Sequence, residues 1–151
     1  MKWSSLLFIF YLLSLGAFGQ EPAKYDSTLA KQLGADEYGM KSYTFVILTT
    51  GDSTINDENR VQELFSGHLK NIGRLSDDGK LIVAGPLGKN EHNYRGLFIF
   101  DVGSIEETEN LLMTDPAIEA GILDYEIFDW YGSAALPEYL KIHEKIQKTS
   151  F

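Results

Sequence analysis

Three short segments are apolar at every position, and they constrain the fold more than any other feature of the chain. They are Phe45–Leu48, Leu81–Val83 and Leu97–Phe100. Their β-branched and aromatic content predicts strands. A strand with one face in water alternates apolar and polar residues, so strands of this kind require cover on both faces of their sheet.

Two amphipathic segments predict helices that cover one face. Between the first two strands, apolar residues recur with a period of about 3.6 over residues 57–76, and Asp57 is a candidate N-cap. After the third strand, which we predict over Gly96–Val102, Ser104–Glu107 matches a capping box, in which the glutamate reaches back to the serine N–H. Asp115-Pro116 then predicts a short turn, and Leu123–Trp130 predicts a fourth strand.

The order β-α-β-β-α-β is typical of an α+β, ferredoxin-like domain with a four-stranded antiparallel sheet. Both core helices then lie on one face, and the other face needs a second cover. A lead-in helix that ends at Gly34 and packs on the domain, or a C-terminal helix over Pro137–Lys148, could supply it. A second copy of the sheet covers the face more completely, so we expect a homodimer.

The N-terminus has the layout of a secretory signal peptide. Lys2 precedes an apolar run of ten residues, Leu6–Leu15, and small residues follow at Ala17 and Gly19. The run is shorter than the roughly 20 residues of a spanning helix. We therefore expect cleavage after Gly19 and a periplasmic or secreted protein, with a retained N-terminal anchor as the alternative.

Composition limits the partners and the chemistry. The chain of 151 residues has no cysteine, which excludes disulfides and thiolate nucleophiles. Its formal net charge is −9, and binding to nucleic acid or anionic lipid requires a basic patch. We therefore do not expect these partners. The length fits one domain. We divide it into a signal peptide (1–19), a lead-in segment (20–40), the sheet domain (41–131) and a C-terminal helix (132–151).

Only one of the three histidines lies where chemistry is plausible. His68 falls close to the centre of the apolar stripe of the first predicted helix, between Phe65 and Ile72. Its ordinary role there is that of a core histidine hydrogen-bonded to a protein group. His92 lies in the polar loop predicted between the second and third strands, and His143 lies near the C-terminus. We expect both side chains to be exposed to solvent.

The remaining candidate residues have structural explanations of their own. Asp115 before Pro116 is a standard helix start. Gly85-Pro86 is a turn after the second strand, although a glycine also lets a ligand approach the backbone closely. Motifs for zinc proteases, phosphate loops and serine hydrolases do not occur. We expect neither a metal nor a cofactor.

In combination, four blocks of the chain resemble the YCII-related family. The matching residues are His68, the strand and turn Gly79–Leu87, Gly96, and Asp115-Pro116 with Ala120-Gly121. The resemblance implies a ferredoxin-like domain that dimerises into an α+β barrel. It also implies an active site formed by His68 and Asp115 in a cleft. The signal peptide, the lead-in and the terminal helix are departures from the family pattern, as is Ala117, where an aromatic residue is frequent.

A histidine held by a carboxylate is a suitable general base. Such a pair suits cofactor-free proton transfer on a small organic substrate: isomerisation, elimination or a lactone-type rearrangement. The same cleft, with Gly85 and Pro86, could instead bind a small ligand without catalysis, and the protein could also be a structural dimer without a ligand. A pocket that contains both His68 and Asp115 favours the first two readings, and an inaccessible His68 favours the third.

Overall fold

The computed structural model describes residues 25–149, so the predicted signal peptide lies outside the described residues. The elements are α1 (Ser27–Leu33), β1 (Met40–Thr50), α2 (Glu58–Asp77), β2 (Leu81–Pro86), β3 (Tyr94–Phe100), α3 (Ile105–Leu112), α4 (Pro116–Glu119), β4 (Leu123–Ser133), a 3₁₀ helix (Leu136–Tyr139) and α5 (Leu140–Ile146). The third strand therefore begins and ends two residues earlier than predicted. The predicted C-terminal helix is a 3₁₀ turn followed by a short α-helix.

The four strands form one antiparallel sheet in the order β2-β3-β1-β4. β1 separates β3 from β4, and β3 separates β1 from β2, so each helical crossover skips one strand. This is the split arrangement that the order of predicted elements indicated. The α+β class and the four-stranded antiparallel sheet are confirmed.

Side-chain caps fix where the two long crossovers begin. Asp57 Oδ1 accepts hydrogen bonds from the N–H groups of Asn59 and Arg60, as expected of an N-cap. Ser104 Oγ accepts from Glu107 N–H. The second half of the predicted capping box is wrong, however, because the Glu107 carboxylate accepts from the N–H of Gly103 and not from that of Ser104.

The helices cover the sheet face on which the even-numbered residues of β1 lie. Val46 and Leu48 are buried there with Phe98 and Phe100 of β3. Leu75 of α2, Leu112 of α3 and Ile118 of α4 complete this core. The alternation along β1 therefore places its other apolar residues on the opposite face.

That opposite face is apolar and partly open. Phe45 and Ile47 of β1 are half-buried, and on β4 Phe128 and Trp130 are 45% and 37% exposed. Phe45 and Phe128 are cross-strand partners whose ring centroids lie 6.4 Å apart. The strands are thus apolar on both faces, as the sequence predicted, and the open face forms a continuous aromatic and aliphatic surface.

Neither terminal helix covers this surface. α1 forms where predicted and ends at Gly34 in the left-handed region, but it has no buried residue, so the expected packing on the domain is wrong. The 3₁₀ helix lies instead against the edge strand β2, where the Tyr139 hydroxyl donates to the carbonyl of Ile82. Burial raises the pKa of Tyr139, which keeps this donor protonated. Between residues 25 and 149, no helix combines the length and hydropathy that a membrane span requires.

Two glycines on neighbouring strands, Gly85 of β2 and Gly96 of β3, differ in their tolerance of a side chain. A Cβ on Gly96 would lie 2.9 Å from the carbonyl oxygen of Gly85, whereas a Cβ on Gly85 would meet nothing within 4 Å. We expect Gly96→Ala to lower the free energy of unfolding by about 1–3 kcal/mol through overpacking. Gly85→Ala should change it by less than about 1 kcal/mol. Urea denaturation of both variants measures the difference, and equal stabilities would contradict it.

Candidate active site

The close approach of α2 and α4 creates the candidate site. A Cβ on Gly67 would lie 2.5 Å from Cγ of Pro116, so only a glycine lets the first turn of α4 approach α2 this closely. His68 follows Gly67 on α2, and Asp115 precedes Pro116 as the N-cap of α4. The contact between the two neighbours therefore brings the histidine and the aspartate together.

His68 and Asp115 form a buried hydrogen bond. The His68 Nδ1 to Asp115 Oδ2 distance is 2.6 Å, and the two residues are 9% and 1% exposed. The other carboxylate oxygen, Oδ1, accepts from Ala117 N–H at 2.9 Å. Asp115 thus caps α4 with one oxygen and holds the histidine with the other.

This hydrogen bond determines which nitrogen of a neutral His68 carries the proton. An ionised carboxylate only accepts, so Nδ1 donates and Nε2 presents its lone pair. Across residues 25–149, Nε2 has no hydrogen-bond partner, and no fully buried side-chain nitrogen or oxygen lacks one. Nε2 is therefore open to solvent at its tip.

Two aromatic rings fix the plane of the imidazole. The ring of Phe98 on β3 stacks on it at a centroid distance of 6.0 Å, and Phe65 packs against it edge-on at 6.2 Å. Phe65 lies one turn before His68 on α2, as the sequence indicated. These contacts leave the ring little freedom to rotate, so Nε2 points in a defined direction.

A second polar cluster lies one turn further along α2. Arg74 Nη2 donates to Asn71 Oδ1 at 2.8 Å and to Thr114 Oγ1 at 2.9 Å. The Thr114 hydroxyl has one proton, and its shortest acceptor is the carbonyl of Leu111 at 2.6 Å. Because Thr114 precedes Asp115, this cluster ties down the chain immediately before the aspartate.

The proposed ligand residues Gly85 and Pro86 lie at the end of β2, close to the strand that supports His68. Ala84 is the cross-strand partner of Phe98, and Gly85 and Pro86 follow it. By strand alternation, Pro86 shares the helix-covered face with Phe98, whereas the space at Gly85 opens on the opposite face. The structure therefore brings His68 and Asp115 together but does not direct the open side of Gly85 towards them.

The other two histidines are exposed, as expected. His92 stacks on Tyr94 in the hairpin loop at a centroid distance of 5.3 Å. His143 lies on α5 with its ring 6.4 Å from that of Tyr139. Neither is near a carboxylate within salt-bridge distance in the part of the chain described. They provide matched controls for His68.

Three cavities of the domain are lined by residues other than His68 and Asp115. A cavity of about 680 Å³ lies between α2, the edge strand β2 and α5, with Leu69, Ile72, Ile82 and Leu140 in its wall. Smaller or shallower ones lie beside Gly121 and along the outer side of α2. The described residues contain no group of three or more histidines or carboxylates arranged to hold a metal ion.

Gly67, Asn71 and Thr114 were not among the residues predicted from the sequence to form the site. A glycine inside a helical pattern and beside a candidate base was a detectable signal of close packing. Asn71 is buried on α2 with Leu64, His68 and Leu75, whereas the apolar residue Leu69 of the same helix is 39% exposed. A second polar residue three positions after His68 was visible in the sequence, but its partner Thr114 required the fold.

Two glycines of α2 provide a matched test of the helix contact. Gly67→Ala should lower the free energy of unfolding by about 1–3 kcal/mol, since its Cβ would clash with Pro116. Gly73→Ala meets nothing within 4 Å and should raise it by up to about 1 kcal/mol through helix propensity. Chemical denaturation measures both changes. If Gly67→Ala proved as stable as Gly73→Ala, the close contact of α2 and α4 would be refuted.

The chain is similar to a known domain family and to a solved structure. A solved structure of 5-chloro-2-hydroxyhydroquinone dehydrochlorinase from Burkholderia phenoliruptrix, in complex with 2,5-dihydroxybenzoquinone, is similar at 20% identity and a TM-score of 0.42, over 58% of this chain and 92% of that one. No curated protein matches the sequence. The model of the YCII-related domain matches residues 43–131, which is more than half of the chain, runs from within β1 to within β4 and includes His68 and Asp115. The chain therefore belongs to the YCII-related family.

Proposed function

We propose that this protein is an exported enzyme that performs general acid/base chemistry on a small organic substrate, with His68 as the base. Export, to the periplasm or beyond the cell, rests on the signal-like layout of Met1–Gly19. The catalytic part rests on one observation: His68 is bound at one end only. A histidine whose Nδ1 is held by a carboxylate and whose Nε2 lone pair reaches solvent has the arrangement that a general base requires.

The geometry gives each member of the pair a role. His68 Nε2 accepts a proton from a C–H or O–H group of the substrate, and Asp115 stabilises the imidazolium that results. The protonated Nε2 then donates to a different atom of the substrate or to a leaving group. The first outcome is an isomerisation and the second an elimination, and neither needs a covalent intermediate.

A second candidate is a non-catalytic role, in which the pair joins α2 to α4 or helps to hold a ligand. Burial favours the first of these, the structural role: His68 is 9% exposed, and the three cavities described above are lined elsewhere. An inaccessible His68 is the outcome expected of a structural role, so its burial supports that role. The open tip of Nε2 favours the enzyme, and experiment separates the two.

Proton transfer can be measured before the natural substrate is known. We would follow deuterium uptake from D₂O into a panel of small enolisable carbonyl compounds by proton NMR. His68→Gln should lower the protein-dependent exchange rate at least about 100-fold, the usual contribution of a general base. Asp115→Asn should fold, because asparagine also caps helices, but its amide would donate to Nδ1 and move the ring proton onto Nε2.

The control is His143→Gln, which removes an exposed histidine and should leave the exchange rate unchanged. Thermal melts of all variants exclude loss of fold as the cause. If the His68→Gln variant retains the exchange rate of the natural sequence, or if no compound of the panel exchanges faster with the protein than without it, the non-catalytic role is favoured.

We also propose that a second copy of the chain covers the open face of the sheet. The support is the aromatic and aliphatic surface that includes Phe45, Phe128 and Trp130, which neither terminal helix reaches. Such a surface costs free energy in water, and a self-complementary contact removes it from both copies.

Light scattering at micromolar concentration should report about twice the mass of one chain. Phe128→Asp places a charge at the centre of the surface and should give a monomer. Because Phe128 is 45% exposed, that monomer should remain folded. The natural sequence behaving as a monomer would contradict the proposal.

A further inference from the structure

Asn71 is a second buried side chain that is bound at one end only. It is 8% exposed. Its Oδ1 atom accepts from the guanidinium of Arg74 at 2.8 Å. A guanidinium cannot accept a hydrogen bond, so the atom that faces Arg74 must be the oxygen, and this fixes the orientation of the amide.

The amide nitrogen of Asn71 is left free. Within residues 25–149, Nδ2 has no hydrogen-bond acceptor, and no fully buried side-chain nitrogen or oxygen is without a partner. Nδ2 therefore reaches a surface that water or a ligand can contact. The Arg74 contact also withdraws electron density from the amide oxygen, which makes the Nδ2 hydrogens stronger donors.

His68 and Asn71 lie on the same buried stripe of α2. Residues at positions i and i+3 of a helix are neighbours, with Cβ atoms about 5–6 Å apart. His68 is held by Asp115. Asn71 is held by Arg74, whose guanidinium also donates to Thr114, the residue before Asp115. The same segment thus orients both side chains, one with a free lone pair and the other with free N–H groups.

We propose that Asn71 is a second catalytic residue, whose Nδ2 donates to a substrate oxygen that becomes negatively charged when His68 removes a proton. This inference rests on the base role of His68 proposed above. It narrows the substrates to small carbonyl compounds with an acidic neighbouring C–H, and to phenols, because loss of a proton from either gives an oxyanion. A base and an oxyanion donor are the two groups that such a step requires.

His68 and Asn71 together account for the proton and the negative charge that this reaction step produces. For a carbonyl substrate, the C–H bond breaks and its proton goes to His68 Nε2. The electron pair forms a carbon–carbon double bond while the carbonyl π pair moves to oxygen, where an Asn71 N–H stabilises it. The proton then returns to another carbon, or a substituent leaves with an electron pair. No oxidant or reductant is consumed.

Binding of 4-nitrophenol, whose anion is a stable phenolate with its own absorbance, tests the donor. Asn71→Asp retains an acceptor for Arg74 but replaces the N–H donors by a carboxylate oxygen. We expect phenolate affinity to fall at least about tenfold. Asn59→Asp makes the same change of charge at an exposed position of the same helix and should alter affinity by less than about twofold.

A second measurement needs no variant. In the natural protein, saturating 4-nitrophenol should shift the side-chain amide resonances of Asn71, assigned by through-bond NMR. Equal affinity in Asn71→Asp, an unshifted Asn71 amide, or no phenolate binding by the natural protein would each overturn the proposal. Loss of deuterium exchange in His68→Gln alongside unchanged phenolate binding in Asn71→Asp would overturn the role of Asn71 and leave the base role of His68 intact.

Discussion

The contact between Gly67 and Pro116 is the constraint on which the rest of the site depends. Two residues that are 47 positions apart in sequence meet at 2.6 Å because their chain neighbours touch without a side chain between them. A larger residue at position 67 would move α4 outward, and with it the carboxylate that orients His68. The reactivity of the histidine is therefore set by packing between two helices, one of which has only four residues.

The short length of α4 explains why so many polar contacts surround it. Such a helix gains little from its own hydrogen bonds, since nucleation is costly. It is held instead by its N-cap, by burial of Ala117 and Ile118, and by the cluster around Thr114. The aspartate that serves as the cap is thereby placed within an apolar interior, where a carboxylate is tolerated only with hydrogen-bond donors. His68 and Ala117 N–H supply them.

Much of the fold could be predicted because its signals are local. The strands are continuous apolar runs, and Asp57 and Ser104 mark helix starts through contacts with residues two or three positions away. The pair His68 and Asp115 was reached through resemblance to a family, since periodicity alone favoured a core histidine. The roles of Asn71 and Thr114, and the packing of the terminal helices, depend on contacts between distant segments. Local pattern does not determine which N–H group donates to the Glu107 carboxylate, nor which carbonyl accepts from the Tyr139 hydroxyl.

The position of the C-terminal segment has a further consequence for how the protein behaves in concentrated solution. An unprotected edge strand offers free backbone groups to which the strand of another molecule can add. The Tyr139 hydroxyl donates to the carbonyl of Ile82, so the 3₁₀ helix engages one of the backbone groups of the β2 edge. Residues 132–149 lie beyond the matched family domain, and their contact with β2 hinders strand addition at one of the two edges of the sheet, the other edge being β4.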